Sequence, residues 1–221
     1  MGNINIKTLE VSGWTGAFKG MRAPMESYAK SDSSFIDFCN IGDADMKLAL
    51  NLIKGGTEHS KFRRMIQIQA EVSMPRYIWS EWDTYKISTV SNSESTMHKL
   101  LNNKNPITEN QFYFGEEGTD LYKITRSDVL PIIEELECLR LQYMGDKPTI
   151  FTKNQLLILA KRMLPECFIQ TRVWCANYET LANMYNQRVK HPHRLKEEWV
   201  DCFGEWVKSL PYANQLILGD E

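Results

Sequence analysis

One strand decides the fold, and it reads Ile66-Gln67-Ile68-Gln69-Ala70-Glu71-Val72. Apolar and polar side chains alternate at every position, and successive side chains of a strand point to opposite faces of its sheet. The segment therefore predicts a strand with one buried face. It ends at Ser73-Met74-Pro75.

Helices and a polar loop flank this strand. Upstream, an Asp43 N-cap and a stop at Gly55-Gly56 bracket apolar residues at helical spacing, namely Met46, Ala49, Leu50 and Ile53. Downstream, the aromatic segment 77–82 suits a short helix, with Trp79 and Trp82 expected in the core. The following stretch 83–95 holds four serines and two threonines. It is typical of a solvated loop, with a pocket wall as the alternative.

The second half of the chain is predicted to be helical. One helix is marked by Val129, Leu130, Ile133 and Leu136, and Thr152 with Gln155 forms a capping box for the next. Two more are indicated by the apolar sets Val173, Trp174, Leu181, Met184, Tyr185 and Trp199, Cys202, Phe203, Trp206, Leu210. Segment 102–118 carries turn signals and predicts a flexible loop. Without a repeat or a clear boundary, the sequence favours one α+β domain over residues 1–221.

Composition excludes several classes of protein. The 221 residues carry 26 Lys plus Arg and 28 Asp plus Glu, a net charge of −2, so general DNA binding is disfavoured. No apolar run reaches the roughly 20 residues that cross a bilayer, and no signal peptide is apparent, so we expect a cytoplasmic protein. The five cysteines are expected to be reduced. The close pair His191 and His193 reads as part of a loop, and no metal site is predicted.

The order of motifs resembles a known enzyme family. A helix ending at Gly55-Gly56 is followed by His59, the alternating strand, Pro75, the aromatic helix and the polar stretch; later, a Trp174-Cys175-Ala176-Asn177 segment leads to Arg188. This order is similar to that of the flavin-dependent thymidylate synthases, which methylate dUMP with FAD, NADPH and methylene-tetrahydrofolate. The resemblance implies an α+β fold with a short antiparallel sheet and a largely helical second half. It also implies a homotetramer with active sites at subunit contacts.

The family signature RHRxxSxNxxSxRY falls on the segment 84–97 of this chain. The resemblance assigns cofactor contacts to His59, Tyr85, Lys86, Asn177 and Arg188. It assigns substrate contacts to Thr89, Ser91, Glu94, Thr96 and Glu179, and a one-residue shift would bring in Ser93 or Ser95 in place of Glu94. It leaves the catalytic residue unassigned.

Three positions lack a cation that the family has. Thr84-Tyr85-Lys86 falls on the Arg-His-Arg that contacts the flavin and keeps one cation of three ionisable groups. Thr96 and Glu179 fall on arginines, and each lost charge-assisted phosphate contact is worth about 1.5–3 kcal/mol. This argues against an unmodified dUMP site. Glu179 is expected to pair with Arg172 or with a residue of another helix. The cluster Lys61, Arg63 and Arg64 is expected to be a solvated entry to the strand, with a phosphate-facing patch as the alternative.

Three hypotheses remain open on the sequence alone. The chain is a diverged flavin enzyme that binds FAD and a nucleotide, with NADPH and methylene-tetrahydrofolate used only if the family activity is kept. Alternatively, it is a non-catalytic homo-oligomeric protein that uses the former active-site cleft for a nucleotide or a protein partner. The third hypothesis is an unrelated α+β interaction protein.

Overall fold

The structure is a computed structural model that describes residues 3–36, 39–189 and 195–219. His191 and His193, which the sequence places in a loop, lie outside these residues. Four strands form one sheet, and they are β1 (Asn5–Ser12), β2 (Gln67–Pro75), β3 (Val90–Ser93) and β4 (Ile169–Asn177). The sheet is antiparallel, in the order β1-β2-β4-β3. The predicted α+β class with a short antiparallel sheet is therefore confirmed.

Helices make up most of the rest. They are α1 (Trp14–Arg22), α2 (Asp43–Lys54), α3 (Arg76–Trp82), α4 (Thr96–Lys99), α5 (Asp120–Met144), α6 (Lys153–Met163), α7 (Tyr178–Arg188) and α8 (Asp201–Lys208). Two π-helical turns cover Lys196–Val200 and Asn214–Leu218. Among the described residues, no helix has both the length and the apolar character needed to cross a bilayer.

The chain divides into two compact units. The first consists of Met1–Asn5, Val72–Thr84 and Asn92–Arg172, and the second of Ile6–Glu71, Tyr85–Ser91 and Val173–Glu221. Each unit is assembled from segments that are distant in the sequence. The assignment of one domain to residues 1–221 stays a prediction.

The first unit is built on the pairing of α5 with α6. Their apolar faces form a core with side chains from the segment between α4 and α5, and its members include Leu101, Ile107, Phe112, Phe114, Val129, Ile133, Leu136, Leu156 and Ala160. The capping box of Thr152 and Gln155 at the start of α6 is present, as predicted. Much of segment 102–118 is thus anchored by buried side chains, and its flexibility stays a prediction.

The second unit has an aromatic core. The Trp14 ring meets the Tyr178 ring edge-on at a centroid distance of 5.4 Å, and the Phe18 ring meets that of Phe62 at 6.0 Å. The indole nitrogen of Trp206 donates to the Thr8 hydroxyl over 2.9 Å. The core therefore joins α1, α7 and α8 of this unit through rings that bury much apolar area.

The deciding strand folds as its alternation predicts. Ile68, Ala70 and Val72 are buried, whereas Gln69 and Glu71 between them are exposed. Trp79 and Trp82 of α3 are also buried, as expected for core residues.

Three local predictions were wrong. Val173 and Trp174 lie in β4 instead of a helix, because their bulky β-forming side chains belong to a nine-residue strand that ends where α7 begins. The polar stretch 83–95 contains β3, whose residues are all exposed and so give no alternating pattern. Asp43 is the first residue of α2 and not its cap; instead, the Asp32 carboxylate accepts from the amides of residues 44 and 45 at 2.8 and 3.0 Å.

Candidate functional site

Two residues that the resemblance assigns to the cofactor meet in the second unit. The guanidinium carbon of Arg188 lies 5.5 Å from the ring centroid of Tyr85 and 5.3 Å from that of Trp199. These distances are within the range of cation–π attraction. Arg188 ends α7, where a positive charge is favourable to the helix dipole. The structure therefore brings together an aromatic ring and an arginine that the resemblance assigns to the same cofactor site.

The turn that carries Tyr85 is held by two threonine hydroxyls. Thr89 donates to the carbonyl of Tyr85 over 2.7 Å, and Thr180 of α7 donates to the carbonyl of Ile87 over 3.2 Å. Between them, Ser88 takes a left-handed backbone conformation with φ 58. Thr89, predicted to contact substrate, thus uses its proton within the turn, and only its acceptor lone pairs are left for a ligand.

Asn177 has a positioning role in this structure. It is the N-cap of α7, its side-chain oxygen accepts from the amide of Thr180 over 2.9 Å, and it is 2 % exposed. The other predicted contacts on this unit, His59, Lys86 and Ser91, are all exposed. Asn177 therefore fixes the start of the helix that ends in Arg188, while Lys86 offers a cation to solvent.

Glu179 forms a buried ion pair with an arginine of the strand entry. Arg64 donates to the Glu179 carboxylate over 2.9 Å, and the Glu179 side chain is 8 % exposed. The second carboxylate oxygen is buried and has no hydrogen-bond partner among the residues that the structure describes. The hydrogen bond and the charge of Glu179 raise the pKa of Arg64. Position 179, to which the sequence resemblance assigns a phosphate-binding arginine, thus holds a carboxylate that is already paired.

The neighbouring arginine is buried, contrary to the sequence prediction of a solvated entry. Arg63 donates to the hydroxyl of Ser60 over 3.2 Å and to the carbonyl of Leu216 over 3.3 Å. Burial lowers the pKa of its guanidinium, and the nearby Glu179 opposes this shift. Two arginines therefore surround one carboxylate, which explains how a glutamate is tolerated inside this unit.

Arg172, the other expected partner of Glu179, is engaged in the first unit. It donates to both carboxylate oxygens of Asp83, at 2.9 and 3.0 Å. Its guanidinium carbon also lies 4.0 Å from the centroid of the Trp79 ring. Of the two expected partners of Glu179, Arg172 was wrong, since one of its nitrogens contacts both Asp83 oxygens and its guanidinium lies over the Trp79 ring. The alternative, a residue of another helix, is confirmed, because Arg64 is the last residue of the short 3-10 helix Lys61–Arg64.

The remaining two predicted substrate contacts, Glu94 and Thr96, line a cavity of the first unit. Its volume is about 330 Å³. The wall is rich in side-chain amides and hydroxyls, from Asn3, Ser95, Thr96, Asn103, Asn105, Asn110, Gln111, Gln170 and Thr171. Leu100, Ile107 and Phe168 provide the apolar part. Such a mixture suits a small ligand with many hydrogen-bonding groups.

A lysine from α6 contacts Thr96, one of the residues that line this cavity. The ammonium of Lys161 lies 3.1 Å from the Thr96 hydroxyl. Nearby, Lys99 pairs with Glu94 at 3.5 Å, and Gln170 donates to the Glu94 carbonyl over 3.1 Å. A cation therefore lies beside Thr96, the position to which the resemblance assigns a family arginine.

The part of the cavity wall between residues 103 and 107 is fixed by an ion pair on α5. Arg140 donates twice to the Glu137 carboxylate, at 2.7 Å each, and once to the carbonyl of Asn103 at 2.9 Å. Glu137 in turn accepts from the amide of Ile107 over 2.8 Å. The hydrogen bond from Arg140 holds the pKa of Glu137 below its usual range. The backbone from 103 to 107, which lines the cavity, is thus fastened at both ends.

Sequence reasoning missed Lys161, the cavity amides and the pairing of Arg64 with Glu179, although it named Arg64 as part of a basic cluster. The contacts of Lys161 and Arg64 join residues 65 and 115 positions apart, so no local spacing reveals them. Within residues 3–36, 39–189 and 195–219, no three His, Cys, Asp or Glu side chains come together as a set of metal ligands.

Comparison with known proteins adds a fold likeness. No family model and no curated protein matches the chain. Two crystal structures of thymidylate synthase X from Helicobacter pylori, both with FAD and dUMP, are similar to it with a TM-score of 0.69 each. They are 16% and 18% identical in sequence, covering 97% and 96% of this chain and 96% and 97% of theirs. The chain therefore has the fold of a flavin-dependent thymidylate synthase, the fold that its motifs predicted.

Proposed function

We propose that this protein binds FAD and a nucleotide, and that it does not methylate dUMP at the rate of its structural relatives. The observation that carries the proposal is the Arg188 guanidinium beside the Tyr85 ring. The full-length likeness to proteins that hold FAD and dUMP supports it at the level of the fold.

The chemistry of this donor set fits FAD. An aromatic ring and a guanidinium offer stacking partners for a flat heteroaromatic ring, and Lys86 follows Tyr85 directly as an exposed cation for a phosphate oxygen. Tyr85, Lys86 and Arg188 are thus the residues that would hold the cofactor. When bound, FAD supplies hydride transfer. The role of the protein residues is to orient the ring and to screen the phosphate charge.

Weak dUMP methylation follows from Glu179. Its carboxylate is buried, and the Arg64 charge that could meet a phosphate is already paired with it. A phosphate dianion placed there would lose a charge-assisted contact worth about 1.5–3 kcal/mol and meet a like charge. We therefore expect this chain to turn over dUMP far more slowly than an enzyme that keeps the arginine.

Titration with FAD tests the proposal. The purified protein is expected to quench FAD fluorescence on binding and to gain thermal stability. Replacing Tyr85 by Leu should weaken FAD binding about tenfold, because one ring contact is worth roughly 1–3 kcal/mol. Tyr28→Leu is the matched control, since Tyr28 is an exposed tyrosine of the same unit. Absence of FAD binding by the unmodified protein would refute the proposal.

Methylation is measured separately. With dUMP, NADPH and methylene-tetrahydrofolate supplied, we expect no growth rescue of a thymidine-requiring host and little thymidylate in vitro. Rapid formation of thymidylate would contradict the role given to Glu179, but it would leave FAD binding intact.

A second candidate is a non-catalytic homo-oligomer, which we propose as the alternative. It is favoured by exposed apolar side chains on the segment that carries Tyr85, where Ile87 is 85% and Val90 71% exposed. Light scattering should then show a tetramer, and FAD should have no effect on stability.

The unpaired state of the five cysteines supports the accompanying proposal of a cytoplasmic location.

A further inference from the structure

We infer that the second unit holds a binding site for a small aromatic carboxylate, in the cavity between α1 and the segment 28–35. The cavity has a volume of about 260 Å³, and the described residues that line it all belong to this one unit. None of them is assigned to FAD or to a nucleotide by the sequence resemblance. The inference therefore does not depend on the proposed function.

One wall of the cavity is a single face of α1. Thr15, Phe18, Lys19 and Arg22 all line the cavity. Their spacings of three and four residues place them on the same side of the helix. This face combines a hydroxyl, an aromatic ring, an ammonium and a guanidinium. A ligand that lies against it therefore meets hydrogen-bond donors next to an apolar surface.

The cavity carries a net positive charge. Arg22 donates through Nε to the Asp45 carboxylate, which also accepts from Ser31 and Ser33 at 2.6 Å each. Asp45 thus neutralises Arg22 without being among the residues that line the cavity. Lys19 is exposed, and it forms no ion pair within the part of the chain that the structure describes. Because none of the described lining residues is acidic, the charge of Lys19 is left for an anion.

Arg22 keeps hydrogen-bond donors after its structural contacts are made. A guanidinium has five N–H donors. Nε uses one on Asp45, and one terminal nitrogen lies 3.5 Å from the Ser27 carbonyl oxygen. The other terminal nitrogen has no hydrogen-bond partner among the described residues. Its donors and those of the Lys19 ammonium suit a carboxylate, whose two oxygens accept several hydrogen bonds.

Two phenylalanine rings favour a flat apolar body for the ligand. Phe18 and Phe35 both line the cavity, and their ring centroids lie 5.3 Å apart with an interplanar angle of 47°. Phe35 is only half-buried, so part of its ring is left for contact. A ligand ring can meet such a tilted pair offset or edge-on, the arrangements that aromatic groups prefer. Since about 260 Å³ is less than the usual volume of a site for drug-sized ligands, a single ring is favoured.

Calorimetric titration with three probes tests the inference: benzoate, benzyl alcohol and acetate. Benzoate should bind about tenfold more tightly than either of the others, because benzyl alcohol lacks the charge and acetate lacks the ring. Lys19→Gln should weaken benzoate binding about tenfold and leave benzyl alcohol binding unchanged. Lys47→Gln is the matched control, since Lys47 is an exposed lysine of the same unit that is not among the lining residues. It should alter neither affinity.

A second variant tests the aromatic part of the site. Phe35→Leu keeps an apolar side chain and both cations but removes one ring. It should weaken benzoate and benzyl alcohol binding by the same factor, about threefold to tenfold, and leave acetate binding unchanged. Because Phe35 is half-buried, thermal unfolding of this variant verifies that it is folded at the temperature of the titration.

Several results would overturn the inference. They are the absence of benzoate binding, equal affinity for benzoate and another probe, or unchanged benzoate affinity in Lys19→Gln or in folded Phe35→Leu. An equal loss in Lys47→Gln and Lys19→Gln would overturn it as well, because the effect would then be one of general charge. Displacement of benzoate by FAD would place the probe in the flavin site instead. Failure of FAD binding with benzoate binding intact refutes the flavin proposal alone.

Discussion

Arg64 donates to Glu179 over 2.9 Å, although 115 positions separate the two residues in the chain. The sequence resemblance assigns a phosphate-binding arginine to position 179, and this assignment stays a prediction. A positive charge cannot be restored at position 179 by one substitution, because the Glu179 carboxylate also interacts with the charge of the buried Arg63.

Replacing Glu179 by Arg should destabilise the protein without creating a dUMP site. The new arginine would lie beside Arg63 and Arg64 at a position that is only 6% exposed. Both native arginines would also lose the carboxylate that balances their charge. The loss in free energy of unfolding, measured in urea, should be well beyond the roughly 0.5 kcal/mol of surface substitutions.

Glu205→Arg is the control for that variant, because Glu205 is exposed on α8 in the same unit. A Glu179→Arg protein that kept its stability and gained dUMP affinity would show that the carboxylate faces the ligand and not the core.

A glycine at the start of α1 is required by close packing. Gly13 has φ +86, and a β-carbon there would lie 2.0 Å from the carbonyl oxygen of Met65. Gly13→Ala should therefore cost about 2 kcal/mol or more of unfolding free energy, through both strain and the clash.

Gly16→Ala on the same helix is the matched comparison. Its β-carbon would meet only the flexible end of the Met65 side chain, at 3.2 Å. Alanine is favoured over glycine within a helix by up to about 1 kcal/mol, so this variant should be neutral or slightly more stable. Equal stability of the two variants in chemical denaturation would contradict the packing described at Gly13.

Local patterns predicted the elements that bury one face. The alternation around Ile68 and the capping box at Thr152 were sufficient, because each is a short-range rule with a direct physical cause. Strand β3 has no buried face to produce a pattern, and it was missed. Val173 and Trp174 are adjacent apolar residues, which suit a helix as well as a strand.

The candidate site was predictable only in part. The motif order placed Tyr85 and Arg188 in one set, and they do meet. The partners that change its chemistry, Arg64 and Lys161, come from distant segments, and pairings of this kind depend on tertiary structure. The loss of a cation at one sequence position therefore does not show that the folded site lacks a cation, because a residue from a distant segment can supply one.

The buried Asp45 carboxylate should make stability depend on pH. Burial alone would raise its pKa, but hydrogen bonds from Ser31, Ser33 and Arg22 outweigh that effect and lower it. Because the folded pKa lies below the unfolded value of about 3.9, the carboxylate stabilises the fold at neutral pH. This contribution is lost as the pH falls through the folded pKa.

Asp45→Asn should accordingly cost about 3–5 kcal/mol at pH 7, because it leaves the buried Arg22 without its counter-charge. The cost should shrink in urea titrations near pH 3. Asp43→Asn, an exposed change on the same helix, should show a small cost at both pH values. An equal cost of Asp45→Asn at pH 7 and pH 3 would argue against a depressed pKa.

The ion pair of Glu137 and Arg140 should set the rigidity of the cavity wall. Glu137→Gln preserves volume but turns an amide donor or a weaker acceptor toward the Arg140 guanidinium and the Ile107 amide. Hydrogen bonds to charged groups contribute about 1.5–3 kcal/mol, so the backbone from 103 to 107 should open about tenfold more often. Hydrogen exchange of these amides measures the change. Glu134→Gln, an exposed substitution on the same helix, is the control and should leave the exchange of these amides unaltered. Unaltered exchange in Glu137→Gln would contradict the prediction and would mean that the buried Ile107 side chain alone holds the wall.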